Sequence, residues 1–346
     1  MLCPKKSRPR RAPNTPAIRE TYANFRVASL HLARIGILIV TLTVNPAIDQ
    51  TISVDRLVFE DRAYITSSRE SAGGRGINAA SVIHSFGGKA MAIVPAGGKA
   101  GAHFESLLKA SGLTLVVVPV HGEVRRNLII TDKQGLTIKL NERGAPFEKA
   151  ELARLEKVIH AKLNRASWFM ICGSLPAGVP ASFYADLITL ARKRNVKTLL
   201  DTDGEALEAG IEAGPTVVKP NRQEAERMLS TALLTRTQFV QAAERIQKMG
   251  AESVILSLGS QGAVGAFDHQ MVEAVPPRVE AIAPIGAGDA MAAAFTWAME
   301  RKSDFRDALR WGVAAGTASA RLPGMNFANL AQTEEIYKQV DVRRVD

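Results

Sequence analysis

A glycine-rich turn that ends in an aspartate, residues 286–289, lies directly before an almost wholly apolar segment, residues 291–299. The apolar segment favours a buried helix, so the glycines stand where a loop enters the first helical turn. Glycine lets the backbone approach a ligand closely, and the unbonded amides of a first turn attract an anion. The pattern is typical of a site that holds a phosphoryl group.

Asp289 indicates more than anion binding, because its charge would repel a phosphate that is merely held. A carboxylate is useful there if it removes a proton from a hydroxyl while the amides of the turn stabilise a phosphoryl group in transfer. An aspartate that only caps the helix explains the same four residues about equally well. The rest of the chain must decide between the two interpretations.

Polar and glycine residues recur wherever an apolar strand is predicted to end. A buried strand is predicted at 35–44, and in the second half of the chain buried strands at 168–172, 198–201, 216–219 and 253–257 alternate with predicted helices. Such units favour a parallel sheet with helices on both faces, and ligands bind at the carboxyl ends of its strands. Each polar group alone is an ordinary loop residue, but their shared position predicts one ligand-binding edge. The residues concerned are Asp49, Ser174, Asp201, Asp203, Lys219, Asn221, Glu224, Ser257, Gly259 and Gly262.

A second glycine motif, residues 73–78, precedes a helix predicted near 79–86. Its spacing differs from the dinucleotide-binding fingerprint, and no acid follows about twenty residues later in a strand–helix–strand frame. A nicotinamide oxidoreductase is therefore the weakest interpretation. Gly73, Gly74 and Asn78 fit the close approach of a polyhydroxylated ligand better.

Two segments with alternating apolar residues, 51–55 and 126–142, interrupt this pattern, and the second predicts a hairpin. We expect a small second sheet that projects from the main one, with strands near 50–68 and 123–142. A small sheet is only marginally stable alone, so it must cover the site, pair with a second copy of itself, or do both.

The net charge of +10 is unevenly distributed along the 346 residues. Residues 1–34 contain eight Lys or Arg and one Glu, which leaves 36 basic and 33 acidic residues for the rest. That balance, without aromatic residues among the basic ones, argues against a nucleic-acid partner. We expect residues 1–34 to be a disordered arm, a transit peptide or an over-long translation start, and residues 35–340 to form the folded domain.

The composition also argues against a membrane-spanning protein and against a small protein stabilised by disulfides. The apolar run at 35–44 is too short to span a bilayer, so we expect no membrane partner. Cys3 and Cys172 alone make no disulfide framework, and the histidines show no metal-ligand spacing. We predict a cytoplasmic protein, with organelle import through residues 1–34 left open.

Together these residues resemble the ribokinase/PfkB family of sugar kinases, from about residue 35 to residue 337. The resemblance implies a ribokinase-like α/β fold, a parallel-sheet sandwich with a small projecting β-sheet lid, and ATP-dependent phosphorylation of a sugar. Residues 43–49, 95–98 and 125–128 are most similar to members that act on phosphosugars, above all the minor, PfkB-type 6-phosphofructokinases. The four ordered motifs that carry the resemblance are 73–78, 219–224, 257–259 and 284–289.

The resemblance also implies a role for each matching residue. Asp289 would be the base, and Gly286, Ala287 and Gly288 would form the anion hole. Arg125, helped by Arg62, would hold the phosphate already on the sugar. The sugar itself would contact Asp49, Gly73, Gly74, Asn78, Asn127 and Ser174. The nucleotide would lie along Lys219, Asn221, Glu224, Ser257, Gly259, Gly262, Val313 and Thr317.

Mg²⁺ with ATP is the cofactor that the resemblance implies, organised by Asn221 and Glu224 directly or through water. The chain departs from the family pattern in three places. Ala72 replaces the usual proline, and Arg75 replaces a glycine or lysine and so adds a charge near the substrate. Residues 284–285 lack the usual hydroxyls, which weakens monovalent-cation activation, although backbone carbonyls could still supply ligands.

The predicted reaction is phosphorylation of fructose 6-phosphate to fructose 1,6-bisphosphate by a homodimer joined through the lid sheet. A fructose-1-phosphate or tagatose-6-phosphate kinase shares almost every motif and is the nearest alternative. A non-catalytic sugar-phosphate-binding protein, with the basic arm on nucleic acid, is more remote, because a sensor does not need the base Asp289.

Overall fold

Fourteen strands, ten α-helices and one short 3₁₀ helix lie within the residues that the computed structural model describes, 38–58 and 60–345. The predicted arm, residues 1–34, lies outside them. The strands are β1 (Leu38–Thr43), β2 (Ala47–Val54), β3 (Ile65–Gly73), β4 (Ala90–Gly97), β5 (Thr114–Val120), β6 (Arg125–Asp132), β7 (Thr137–Asn141), β8 (Ala166–Cys172), β9 (Lys197–Asp201), β10 (Val217–Val218), β11 (Val254–Ser257), β12 (Ala263–Phe267), β13 (Gln270–Val275) and β14 (Asp341–Val345). The helices are α1 (Arg75–Ser85), α2 (Gly98–Ala110), α3 (Lys149–Leu163), α4 (Phe183–Lys193), α5 (Glu205–Glu212), α6 (Arg222–Leu229), α7 (Arg236–Lys248), α8 (Ala287–Glu300), α9 (Phe305–Ala320) and α10 (Leu330–Tyr337).

Ten of these strands form the main sheet, in the order β14-β13-β12-β11-β10-β9-β8-β1-β4-β5. The strands from β11 to β5 pair in parallel, which confirms the predicted α/β class. Strands β12, β13 and β14 are antiparallel at one edge, a feature that the sequence reading did not predict. The carboxyl ends of the parallel strands therefore meet at one edge of the sheet.

Strand β8 shows why the central strands are apolar without interruption. Trp168 and Met170 point into the core beneath α1, α8 and α9, whereas Phe169 and Ile171 point into the core beneath α3 to α7. Successive side chains of a strand alternate between its two faces, and here both faces are covered. Among the described residues, no helix is both long and apolar enough to cross a lipid bilayer.

The other four strands form a second sheet in the order β3-β2-β6-β7, hereafter the lid sheet. The predicted segments 51–55 and 126–142 correspond to β2 and to the β6–β7 hairpin. Strand β3 was not recognised as one element, because residues 65–69 are all exposed and those after Ile65 are polar. It runs up to the second glycine motif, so α1 begins at Arg75, earlier than the predicted residue 79.

Candidate active site

The N-terminus of α1 lies against the end of β1, at the carboxyl edge of the main sheet. Gly74 turns the chain into the helix with a φ of 132°, which residues with a side chain rarely adopt. A Cβ on Gly76 would come within 2.6 Å of the Leu42 carbonyl oxygen, so glycine permits this close packing. One turn later Asn78 donates through Nδ2 to Oδ2 of Asp289 at 2.7 Å. Helix α1 thereby joins the two glycine motifs of the sequence.

Helix α8 begins at the other glycine motif, with Gly286 as its N-cap at a φ of 79°. The amide of Ala287 donates to the Pro284 carbonyl at 3.3 Å. In the part of the chain that the structure describes, the amides of Gly288 and Asp289 have no hydrogen-bond acceptor. The helix therefore presents free amides and the positive end of its dipole, as an anion hole requires.

The carboxyl group of Asp289 has a raised pKa. Burial of the carboxylate, reinforced by the charge of Asp201, raises its pKa to about 6, although the hydrogen bond from Asn78 and the cations Arg75 and Lys219 oppose the rise. A carboxyl group with this pKa is ionised at neutral pH, yet it is a stronger proton acceptor than an exposed aspartate.

Two cations converge on Asp201, the last residue of β9. Nζ of Lys219 lies 3.1 Å from Oδ2, and Nη1 of Arg75 lies 2.9 Å from Oδ1. The side chains of Lys219 and Asp201 are 4% and 2% exposed, so the pair is shielded from water. A Cβ on Gly288 would lie 3.6 Å from the Lys219 ammonium, which therefore stands beside the anion hole. A transferring phosphoryl group would meet amides and this ammonium together.

Asn221 and Glu224 cap the first turn of α6 reciprocally. Oδ1 of Asn221 accepts from the Glu224 amide at 2.9 Å, and Oε2 of Glu224 accepts from the Asn221 amide at 2.8 Å. Oε1 of Glu224 lies 3.5 Å from Nη2 of Arg75, and burial raises the pKa of this carboxyl group. Because these oxygens already have partners, the pair fits Mg²⁺ that is held through water better than Mg²⁺ bound directly.

Asp49 and Asn127 form a polar pair where the lid sheet leaves the body. Oδ1 of Asp49, a residue 4% exposed, accepts from Nδ2 of Asn127 at 2.7 Å. A Cβ on Gly73 would come within 1.8 Å of Oδ2 of Asp49, so a side chain there would displace the carboxylate. Burial raises the pKa of Asp49. Gly73, Asp49 and Asn127 are thus brought together as predicted for a pocket that binds hydroxyl groups.

Arg125 lies at the base of the lid sheet, but its predicted helper does not join it. Nη1 of Arg125 donates to the Glu142 carbonyl at 2.7 Å and Nη2 to the Asn45 carbonyl at 3.1 Å, whereas its buried Nε has no partner among the described residues. Arg62 is exposed in the loop between β2 and β3. Ser174 contacts Asn45, whose Nδ2 donates to Oγ at 3.3 Å.

The residues predicted to lie along the nucleotide occupy two regions. Ser257 donates through its amide to the Pro220 carbonyl at 3.0 Å, which ties β11 to the stretch that carries Lys219 and Asn221. Gly259 and Gly262, with φ of 61° and 87°, turn the chain from β11 into β12. Val313 of α9 is buried in the hydrophobic core, and Thr317 is partly exposed one turn further on.

The geometry described so far agrees with the comparison against protein families. The model for the pfkB family of carbohydrate kinases matches residues 39–332. The chain belongs to this family. Membership confirms the resemblance drawn from the motifs, the ribokinase-like fold and the enzyme class, a phosphotransferase with an alcohol group as acceptor.

Individual family members are similar over most of the chain. The ATP-dependent 6-phosphofructokinase isozyme 2 of Escherichia coli K12 is 32% identical over 302 residues, 86% of this chain and 97% of that protein. A 1-phosphofructokinase of Xanthomonas campestris is 35% identical over 266 residues, 75% and 83% of the two chains. The structure of phosphofructokinase-2 from Escherichia coli in complex with substrates and products has a TM-score of 0.82 at 33% identity, covering 87% of this chain and 99% of that chain.

Sequence reasoning did not predict the pairing of three residues of this pfkB-family site. Arg75 was predicted only as a departure from the family pattern and as a substitute for Arg125 in holding phosphate, and Asp201 and Asp203 only as strand-end residues. The structure joins them: Nη2 of Arg75 lies 2.8 Å from Oδ2 of Asp203. The signal available in the sequence was the position of both acids at the end of a parallel strand, but the pairing itself depends on strand order.

Proposed function

We propose that this protein is an ATP-dependent 6-phosphofructokinase, which transfers the terminal phosphoryl group of ATP to fructose 6-phosphate and forms fructose 1,6-bisphosphate. The contact between Asn78 and Asp289 carries the proposal, because it brings the carboxylate of one glycine motif, with a pKa of about 6, against the other glycine motif. Similarity to the Escherichia coli isozyme 2 supports the choice of substrate.

In the proposed reaction Asp289 accepts the proton of the attacking sugar hydroxyl. The amides of Gly288 and Asp289 and the Lys219 ammonium stabilise the negative charge on the phosphoryl group in transfer. The Asp49–Asn127 pair holds sugar hydroxyls, and Arg125 holds the phosphate already on the sugar. Asp289 and the anion hole belong to one helix terminus, so base and charge stabilisation act on the same reacting group.

A divalent cation, for which we propose Mg²⁺, accompanies ATP and neutralises part of its phosphate charge. Glu224 and Asn221 would hold it through water, since their oxygens already accept hydrogen bonds. Pro284 and Ile285 bring no side-chain oxygen to the turn before α8, so from these two residues a monovalent cation would find only backbone carbonyls.

A 1-phosphofructokinase is the second candidate, favoured by the 35% identity to the Xanthomonas campestris enzyme. The experiment that separates the candidates measures ADP release with fructose 6-phosphate, fructose 1-phosphate and tagatose 6-phosphate. We expect the highest kcat/KM with fructose 6-phosphate. A higher value with either of the other sugars would overturn the substrate assignment, and no ADP release with any of them would overturn the function.

We also propose that the protein is a homodimer in which the lid sheets of two chains pair. The register places Ile52, Ile130 and Ile138 on one face of the lid sheet, opposite to the face that carries Asp49 and Asn127. Two further residues of that apolar face, Ile65 and Leu140, are 64% and 53% exposed. Large apolar side chains exposed together mark an interaction surface.

A further inference from the structure

The guanidinium group of Arg75 is enclosed by three carboxylates from separate elements of the carboxyl edge. Nη1 lies 2.9 Å from Oδ1 of Asp201, and Nη2 lies 2.8 Å from Oδ2 of Asp203 and 3.5 Å from Oε1 of Glu224. Arg75 is the first residue of α1, whereas Asp201 ends β9, Asp203 follows that strand, and Glu224 lies in the first turn of α6. The Arg75 side chain therefore pairs with three acids that follow it in the sequence by 126 to 149 residues.

These carboxylates need a counter-ion close by. The side chains of Asp201 and Glu224 are 2% and 3% exposed, so water does little to screen their mutual repulsion. Lys219 pairs with one oxygen of Asp201 only. Arg75 is the cation in ion-pair contact with Asp203 and Glu224, whereas Lys219 acts on Glu224 and Arg125 on Asp203 only from longer range.

Carboxylate oxygens gathered at one point are also the ligands that divalent cations prefer. Here a guanidinium holds them apart, because it spans several ångströms and binds each acid through a different N–H group. Among the described residues, no three His, Cys, Asp or Glu side chains are placed to hold a metal ion. The space that a free cation would need is filled by a side chain of the protein.

We propose that Arg75 is a permanent internal counter-ion of the Asp201–Asp203–Glu224 cluster and that it excludes free divalent cations from the nucleotide-free site. The inference deepens the proposed function, in which the divalent cation enters together with ATP. Arg75 also acts as a positioning residue, because it fixes Asp201, which in turn orients Lys219 beside the anion hole. Removal of the guanidinium should open a divalent-cation site made by the same three acids.

Binding of Mn²⁺ to the full-length, nucleotide-free protein tests the proposal, followed by electron paramagnetic resonance of the free ion. Arg75→Met keeps the bulk of the side chain and removes its charge, and we expect it to bind one Mn²⁺ at least about tenfold more tightly than the unchanged protein. Asp203→Asn added to Arg75→Met should reverse the gain, since it removes a carboxylate ligand. Arg126→Met, which removes an exposed arginine paired with Glu70, is the matched control and should bind as the unchanged protein does.

Two results would overturn the proposal: equally tight binding of one Mn²⁺ by the unchanged protein, or a folded Arg75→Met variant with no gain. Cooperative thermal melting establishes that the variant is folded. If Arg75→Met does not fold, Arg75→Gln, which keeps an N–H donor without the charge, is measured in its place against the same criterion. Because the measurement uses neither sugar nor ATP, its outcome is separate from that of the substrate assay.

Discussion

The carboxylates of the site differ in their partners: some are paired with cations, whereas Asp289, the proposed base, is not. Asp201 is paired with Lys219 and Arg75, so its charge serves to orient cations. Asp289 instead accepts a single side-chain hydrogen bond, from Asn78. Its surroundings raise the pKa but leave the carboxylate ionised near neutral pH. A general base needs both a raised proton affinity and an ionised form.

Asp289→Asn tests the role of the base directly. An asparagine can still accept the hydrogen bond from Asn78, so we expect the fold and ATP binding to be kept. Turnover should fall at least about 10²-fold, the usual scale for loss of a general base. Steady-state kinetics with an ATP-binding measurement check this, and Asp186→Asn, on the exposed face of α4, is the control. Turnover within a few-fold of the unchanged protein would contradict the assignment.

The pKa of about 6 predicts the acid limb of the pH profile. Because the base must be ionised, kcat/KM should rise with pH through about 6 and level off above it. The second ionisation of a sugar phosphate falls near the same pH. Asp201→Asn separates the two titrations: it removes a charge that raises the pKa of Asp289, so the limb should move to lower pH. If the acid limb of the Asp201→Asn variant does not move, the titrating group is the phosphate of the substrate and not Asp289.

At the scale of elements, two close contacts hold the parts of the site in place. Arg125 joins β6 to the loop after β1 and to the segment after β7, through the carbonyls of Asn45 and Glu142. Glycines in α9 let that helix lie against the first turns of α8. The lid sheet and the anion hole are thus each positioned by one neighbouring element.

Arg125→Ala should raise KM for the phosphosugar far more than KM for ATP, because a guanidinium suits a phosphate dianion and this one lies on the lid side of the site. The loss of two donors at the base of the lid should also lower the melting temperature. Arg126→Ala is the matched control, since its side chain pairs with Glu70 on the surface. Equal changes in both KM values would make Arg125 a purely structural residue.

Gly316→Ala should reduce kcat by displacing the start of α8. A Cβ on Gly316 would lie 2.9 Å from the Ala287 carbonyl oxygen, and backbone cannot move aside as a flexible side chain can. Gly312→Ala would place a Cβ 3.0 Å from the Met291 carbonyl oxygen, one turn further along α8, and serves as control. We expect similar falls in melting temperature for both variants but a larger fall in kcat for Gly316→Ala. Equal kcat values would show that the first turn tolerates the shift.

At the scale of the whole molecule, the lid sheet carries both the residues proposed to bind the sugar and the surface proposed for assembly. One of its faces carries Asp49 and Asn127, and the opposite face carries exposed apolar side chains. Because both faces belong to the same four strands, a partner that covers the outer face would also restrict how the inner face moves.

Ile65→Glu combined with Leu140→Glu should convert the proposed homodimer into monomers, since charges on the apolar face cannot be buried without a partner. Light scattering measures the mass. Leu234→Glu is the control, because Leu234 is 71% exposed in the loop between α6 and α7, outside the lid sheet. A double variant with the mass of the unchanged protein, or an unchanged protein that is already monomeric, would contradict pairing through the lid.

The sequence by itself determined the class of fold, and it predicted the residues that we propose as the centre of the chemistry. Central strands such as β8 are covered on both faces, so they appear as continuous apolar runs between helices. The glycines of residues 73–78 and 286–289 are recognisable because local backbone geometry demands them, and Asp289 follows from its place in such a turn. Signals of this kind are local, and local signals can be read from one sequence.

Only the tertiary structure decided which charges are paired. Arg75 meets Asp201 and Glu224 because of the order of the strands. Helix α1 packs on β1, and β8 and then β9 lie beside β1 in the main sheet. The tertiary structure also decided strand β3. Its polar residues do not alternate with apolar ones, and its pairing with β2 is what defines it as a strand. Strand order is set by the packing of the whole core, and no periodicity within a segment encodes it.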